Sequence, residues 1–111
     1  MFAMMTVETR LEAMARLGRA LADRTRCRLM MALLAGPGYP AQLAAALDVT
    51  PQVVSNHLAC LRGCGLVVTT HEGRHVRYEL VDANLAHALS DLLDLVLTVD
   101  DDQACPLASM S

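Results

Sequence analysis

Apolar residues recur at intervals of three and four along the first part of the chain: Val7, Leu11, Met14, Leu17 and Leu21, then Leu29, Met30, Leu33 and Leu34, then Leu43, Ala44 and Leu47, then Val54, Leu58 and Leu61. Each set falls on one face of a helix. The punctuation agrees. Thr6 can cap a helix running to about Leu21, and Asp23 a second over residues 24–34, stopped by Gly36 and Pro37. Pro40 opens a short helix through Leu47. Thr50 and Pro51 open a helix that Gly65 should stop, a left-handed position being natural for glycine. Beyond Gly65 the period changes to two. Residues 66–71 (LVVTTH) and 74–80 (RHVRYEL) alternate and are rich in β-branched side chains, which predicts a hairpin turning at Glu72-Gly73. Asp82 then caps a last helix expected to reach about Thr98.

The predicted fold is therefore mainly α with a small β-hairpin. Two helices joined by a tight turn at Asp48-Val49 and followed by a two-stranded ribbon make a winged helix-turn-helix, whose second helix can enter a major groove of double-stranded DNA. The last helix carries Leu85, Leu89, Leu92, Leu93, Leu95, Val96 and Leu97 on more than one face. That excess predicts a homodimer, with Leu85, Leu89, Leu92 and Val96 at the interface. Residues 1–99 form the DNA-binding body, with a frayed start at residues 1–5, and residues 100–111 an acidic flexible tail.

Residues 50–65 carry three chemistries on three stripes. Val54, Leu58 and Leu61 face a core. Gln52, Ser55, Asn56, Ala59 and Arg62 lie on the opposite side, where small, polar, hydrogen-bonding groups suit base reading. Val53, His57, Cys60 and Cys64 occupy the remaining stripe, and the i, i+4 spacing stacks the two cysteines one turn apart, so that both thiols can hold one metal ion.

Composition sharpens this picture. An apolar content of 54% in 111 residues is high for one small domain and again points to an interface. The formal net charge of −3 hides an asymmetry: all nine basic residues are arginines between Arg10 and Arg77, while the chain from Val81 onward is purely acidic. Arg74, His75 and Arg77 near the hairpin tip can reach phosphates or a minor groove, with Arg74 and Arg77 the expected phosphate contacts. Neither a membrane span nor a signal peptide is evident, which predicts a cytosolic protein without a membrane partner.

Four cysteines in a reducing compartment suggest metal binding, redox sensing or burial rather than a disulfide framework. Cys27, among apolar positions, reads as a buried structural residue. Cys105, between Ala104 and Pro106 in the tail, has no such explanation. Three thiolates suit cadmium, lead or copper(I), trivalent arsenic also accepts three sulfurs, and zinc wants a fourth ligand. His57 reads as a packed or phosphate-contacting side chain rather than that ligand; His71, His75 and His87 read as surface residues. No nucleophile-base pair, phosphate loop or paired-carboxylate motif supports an enzyme.

VSNHLACLRGCGLV (residues 54–67), with a wing ending in VRYEL, resembles the ArsR/SmtB family of dimeric winged-helix metal-responsive repressors, and the likeness spans nearly the whole chain. LGRALADRTRCRLMMALL, GYPAQLAAAL, the Cys60/Cys64 pair and the late Cys105 are most similar to the cadmium and lead sensors within it. The resemblance implies a dimer that binds operator DNA without metal and leaves it when cadmium or lead occupies Cys60, Cys64 and Cys105, the last contributed by the other subunit. Arsenite control, or a thiol/disulfide switch on the same cysteines, is the alternative; no organic cofactor is implied. The departures are specific. Residues 40–47 lack the cysteine box of many arsenic and cadmium sensors, His87 lacks the second histidine of the zinc sensors, and an early cysteine of some relatives is absent, with Met4 and Met5 near its place.

Overall fold

The computed structural model describes residues 7–95, so the expectations for Thr6, Val96 and Cys105 fall outside the described residues. The order is α1 (Val7–Leu21), α2 (Arg24–Ala35), α3 (Pro40–Leu47), α4 (Pro51–Gly63), β1 (Val67–Glu72), β2 (His75–Leu80) and α5 (Ala83–Leu93). Three helices begin on side-chain caps. Asp23 Oδ1 accepts from the Arg26 amide at 2.9 Å, Thr50 Oγ1 from Val53 at 3.2 Å, and Asp82 Oδ1 from Leu85 at 2.9 Å. Each satisfies a donor that the first helical turn leaves without a partner.

One core joins the elements. Leu29, Met30 and Leu33 of α2, Leu43, Ala44 and Leu47 of α3, Val54, Leu58 and Leu61 of α4, Val67 of β1, Leu89 of α5 and Ala20 of α1 are its buried members. The α4 stripe is fully excluded from solvent. At about 1.5–3 kcal/mol for each fully buried Val or Leu side chain, these three residues anchor the helix against the body and leave its opposite face free. Among the described residues no polar or charged residue is buried, and no helix is long and apolar enough to cross a membrane.

The sheet is one antiparallel hairpin, with Val67 opposite Leu80 and Glu72 opposite His75. Its turn is Gly73-Arg74, one residue later than expected. Gly73 has φ +63, and glycine at the first central position is what a two-residue hairpin loop of this hand requires. The segment before α3 adds a further rung: the Gly38 amide donates to the Tyr78 carbonyl at 2.9 Å and the Tyr78 amide to the Gly38 carbonyl at 2.8 Å. The wing is thereby fastened to the helix-turn-helix from its own side.

One helix end meets expectation and one differs. Regular helix in α4 closes at Gly63, with Cys64 capping it and Gly65 taking the left-handed φ of +79. In α5 helix ends at Leu93, well short of Thr98. The apolar pattern runs on, but Asp91 and Asp94 crowd the negative end of the helix dipole and no basic residue offsets them.

The apolar excess survives folding. In α1 only Ala20 is buried, and Val7, Leu11 and Met14 remain 82%, 66% and 70% exposed. Leu92, Leu93 and Leu95 are exposed at the end of α5. Leu89 turns into its own protomer's core and Leu85 packs half-buried against it, so the outward apolar edge is carried by the leucines that follow.

Candidate nucleic-acid interface and thiol site

The turn of the helix-turn-helix is tightly held. Asp48 takes a left-handed conformation, φ 56 and ψ 47, which aspartate tolerates better than most residues. The Val49 amide returns to the Ala44 carbonyl at 3.1 Å. Arg28 reaches across from α2, its Nη2 donating to the Leu47 carbonyl at 2.7 Å, where a cation meets the negative end of α3. The start of α4 is thus fixed by a cation, a hydroxyl cap and a proline.

From that base, Gln52, Ser55 and Asn56 project into solvent, as the stripe analysis expects. The structure adds a contact between two of them. Gln52 Nε2 donates to Asn56 Oδ1 at 2.9 Å, one helical turn apart.

The wing's two arginines are not equivalent. Arg74 stands exposed in the hairpin turn. Arg77 is half-buried, its Nη1 3.7 Å from Glu72 Oε2, and its Nε is enclosed without a hydrogen-bond partner. Glu72 also accepts from the Tyr39 hydroxyl at 2.6 Å. That bond to a carboxylate raises the phenol's pKa above its ordinary value. The Tyr39 ring meets His75 edge-on, with centroids 6.0 Å apart. A Tyr39–Glu72–Arg77 cluster therefore links the loop before α3 to the wing. Sequence reasoning missed it, because the partners are 33 positions apart and no local pattern announces them.

At the other end of α4, Cys60 is exposed and Cys64 half-buried, both as free thiols. Cys64 opens onto a cleft of about 600 Å³ against α1, lined also by Glu8, Thr9, Glu12, Ala13, Arg16 and Leu66. Among the described residues no three of the histidines, cysteines and carboxylates converge on one point. Two soft donors on adjacent turns fit a thiophilic ion in type, but a complete site needs a donor from outside these residues.

The other candidates sort plainly. His57 Nε2 lies 3.9 Å from Asp23 Oδ1, packed between the recognition helix and the cap of α2. The Asp23 carboxyl is held below its ordinary pKa chiefly by the Arg26 amide, and His57 adds to the effect. Cys27 is half-buried rather than fully buried, its Sγ donating to the Leu21 carbonyl at 3.0 Å. The basic start of α2 is partly structural: Arg26 Nε and Nη2 donate to the carbonyls of Ala20 and Arg19, closing the end of α1. His71, His75 and His87 are on the surface.

A recognition helix seated on three buried side chains and followed by a fastened β-ribbon defines a winged helix-turn-helix transcriptional regulator, and the chain belongs to the ArsR family of bacterial regulatory proteins, which it matches over residues 23–69. It is similar to the transcriptional regulator CmtR of Mycobacterium tuberculosis, with 64% identity over 102 residues, covering 92% of this chain and 86% of that protein. The solution structure of the cadmium sensor CmtR from that organism superposes with a TM-score of 0.66 at 66% identity, over 82% of this chain and 95% of the other. A homodimeric winged helix-turn-helix domain of a possible ArsR-family regulator from Mycobacterium bovis gives a TM-score of 0.70 at 26% identity, over 75% of this chain and 77% of that one. These relatives are regulators, not enzymes, and this chain is a regulator of the same kind.

Proposed function

We propose that the protein is a metal-responsive repressor that binds operator DNA as a homodimer without metal and leaves it when cadmium or lead occupies Cys60, Cys64 and the partner subunit's Cys105. The observation that carries this reading is the placement of Cys60 in the last turn of the recognition helix and of Cys64 at its C-cap, four positions apart and off the stripe that holds Gln52, Ser55 and Asn56. An effector there need not touch DNA to act on the helix that does. Similarity to a cadmium sensor supports the choice of ion.

Support for the dimer comes from the uncovered apolar faces of α1 and α5, Leu92 among them, and from the homodimeric relative; Leu85 and Val96 are proposed beside that contact on the sequence pattern. A two-fold pair would present its recognition helices to successive major grooves about 34 Å apart on a near-palindromic site. Gln52, Ser55 and Asn56 then face bases, and Arg74 and Arg77 face phosphates. Tying the tail of one protomer to the recognition helix of its partner fixes how the two helices sit relative to each other, and brings Asp100, Asp101 and Asp102 toward the DNA-binding body. Both effects favour the DNA-free state. A coupling of about 1–3 kcal/mol, or 5- to 150-fold in operator affinity, is ordinary for such a switch.

The test is subunit mixing. Cys60→Ser/Cys64→Ser protomers combined with Cys105→Ser protomers should regain one complete site per heterodimer, read by thiolate-to-metal absorption under cadmium titration. No recovery, with exchange verified, would place all three ligands in one chain. Parallel titrations with lead, zinc and arsenite rank the effector, and a reduced protein that binds none of them but loses DNA on oxidation would establish the redox switch instead.

A further inference from the structure

The bond between Gln52 and Asn56 limits what the reading face can read. A primary amide offers two N–H donors and a carbonyl with two lone pairs. In the pair as placed, Gln52 spends one N–H and Asn56 one lone pair. Gln52 retains its other N–H and its whole carbonyl, and Asn56 retains both of its N–H groups. Exchanging oxygen and nitrogen on both amides, the usual ambiguity of such side chains, reverses the bond but still leaves at least one free donor and one free acceptor. Linked amides therefore present a mixed donor-acceptor edge in either assignment.

Only one base matches such an edge in the major groove. Adenine shows an acceptor, N7, beside a donor, the N6 amine; guanine shows two acceptors, cytosine a donor alone, and thymine an acceptor with a methyl group. A carbonyl held against guanine O6 meets a like dipole. The bond also fixes each amide in advance, so that less side-chain freedom is lost on docking. A bland reading exists, since an i, i+4 amide pair on any exposed helix adds a little helix stability. Position argues against that as the whole role. Gln52 and Asn56 occupy the first two turns of the helix-turn-helix's second helix, the part that enters the groove, and Pro51, Ser55 and Ala59 around them are exposed and uncharged.

We propose that Gln52 and Asn56 act as one composite reader that selects an adenine in each operator half-site, Asn56 holding the Gln52 amide in the plane from which it contacts N7 and N6. This rests on the operator-binding reading above and specifies what that operator must contain.

The experiment uses the full-length, metal-free protein and a randomised duplex DNA library. Selection should enrich a near-palindrome with a required adenine in each half. In a duplex of that sequence, replacing the adenine by guanine, by 7-deazaadenine or by purine (which lacks the N6 amine) should each cost about 5- to 150-fold in affinity. Gln52→Ala and Asn56→Ala should each flatten the preference at that position and leave the other positions unchanged, and the double variant should do no more than either alone. Gln52→Glu, an acceptor only, should shift the preference toward cytosine. If a sequence is enriched but its adenine preferences persist in Gln52→Ala, or no position responds to 7-deazaadenine, the composite reader is wrong while operator binding stands. If no sequence is enriched at all, both fall together.

Discussion

The amide of Cys64 donates to the carbonyl of Cys60 at 3.0 Å, so the main chain at the C-cap of the recognition helix joins the two cysteines directly. Cys64 keeps right-handed helical backbone angles although it already lies past the regular helix. Replacing either by Ser should remove tight cadmium binding, whereas Cys105→Ser should leave a weaker two-thiolate site that no longer releases DNA. Isothermal titration and operator binding, measured on the same samples, separate these outcomes.

The apolar faces of α1 and α5 should meet a second copy. Leu11→Asp with Leu92→Asp puts charges on both exposed stripes without touching the buried core. Sedimentation should then show folded monomers, and operator binding should fall to the non-specific level. A stable, operator-competent monomer of the unmodified chain would defeat this expectation.

Gly38 is fixed by more than its two bonds to Tyr78. A Cβ built there would come within 3.0 Å of the Leu43 side chain, in the core under the wing. Gly38→Ala should destabilise the fold by about 1–3 kcal/mol, the usual cost of overpacking, seen as a lower urea midpoint at unchanged slope.

Glu72 sits between Tyr39 and Arg77 and neutralises part of the wing's charge. Glu72→Gln should tighten DNA binding of all sequences by releasing Arg77 toward phosphate. Arg74→Ala, at the exposed turn, should weaken all sequences and flatten the salt dependence by about one unit. Equal salt slopes in the three proteins would place the wing away from the backbone.

Asp23 gives a pH dependence whose sign is fixed. Its folded-state pKa is lowered, mainly by the Arg26 amide, so its contribution is fully present above the unfolded value of about 4 and fades as pH falls through the lower folded value. Asn keeps the cap but does not titrate in this range. The stability difference between the native protein and Asp23→Asn should therefore be present near neutral pH and shrink as pH falls below about 4.

Much of this architecture is legible in the chain because its signals are local. The caps at Asp23, Thr50 and Asp82, and the stripe of Val54, Leu58 and Leu61, each depend on neighbours within a few positions. The hairpin turn was displaced by one residue because strand alternation does not say which central position must carry positive φ, and Gly73 decides it. The end of α5 escaped because hydrophobic period continues where helix electrostatics stops. Leu89 shows a further limit: an apolar residue on a crowded helix does not declare whether it faces its own core or another subunit. The Tyr39–Glu72–Arg77 cluster and the Arg28 bond to Leu47 escaped too, since both join residues far apart in sequence.

Gln52 and Cys60 are eight positions apart on one straight helix, about 12 Å along its axis. On the proposed reading, substitutions in the first two turns should change which promoter is recognised without disturbing the thiols, and substitutions in the last turn should change which ion is sensed without disturbing the reading amides. The buried stripe of Val54, Leu58 and Leu61 along the same helix is the part that neither kind of change can touch. A regulator built this way can exchange its target genes and its stimulus in separate evolutionary steps, each passing through a folded protein.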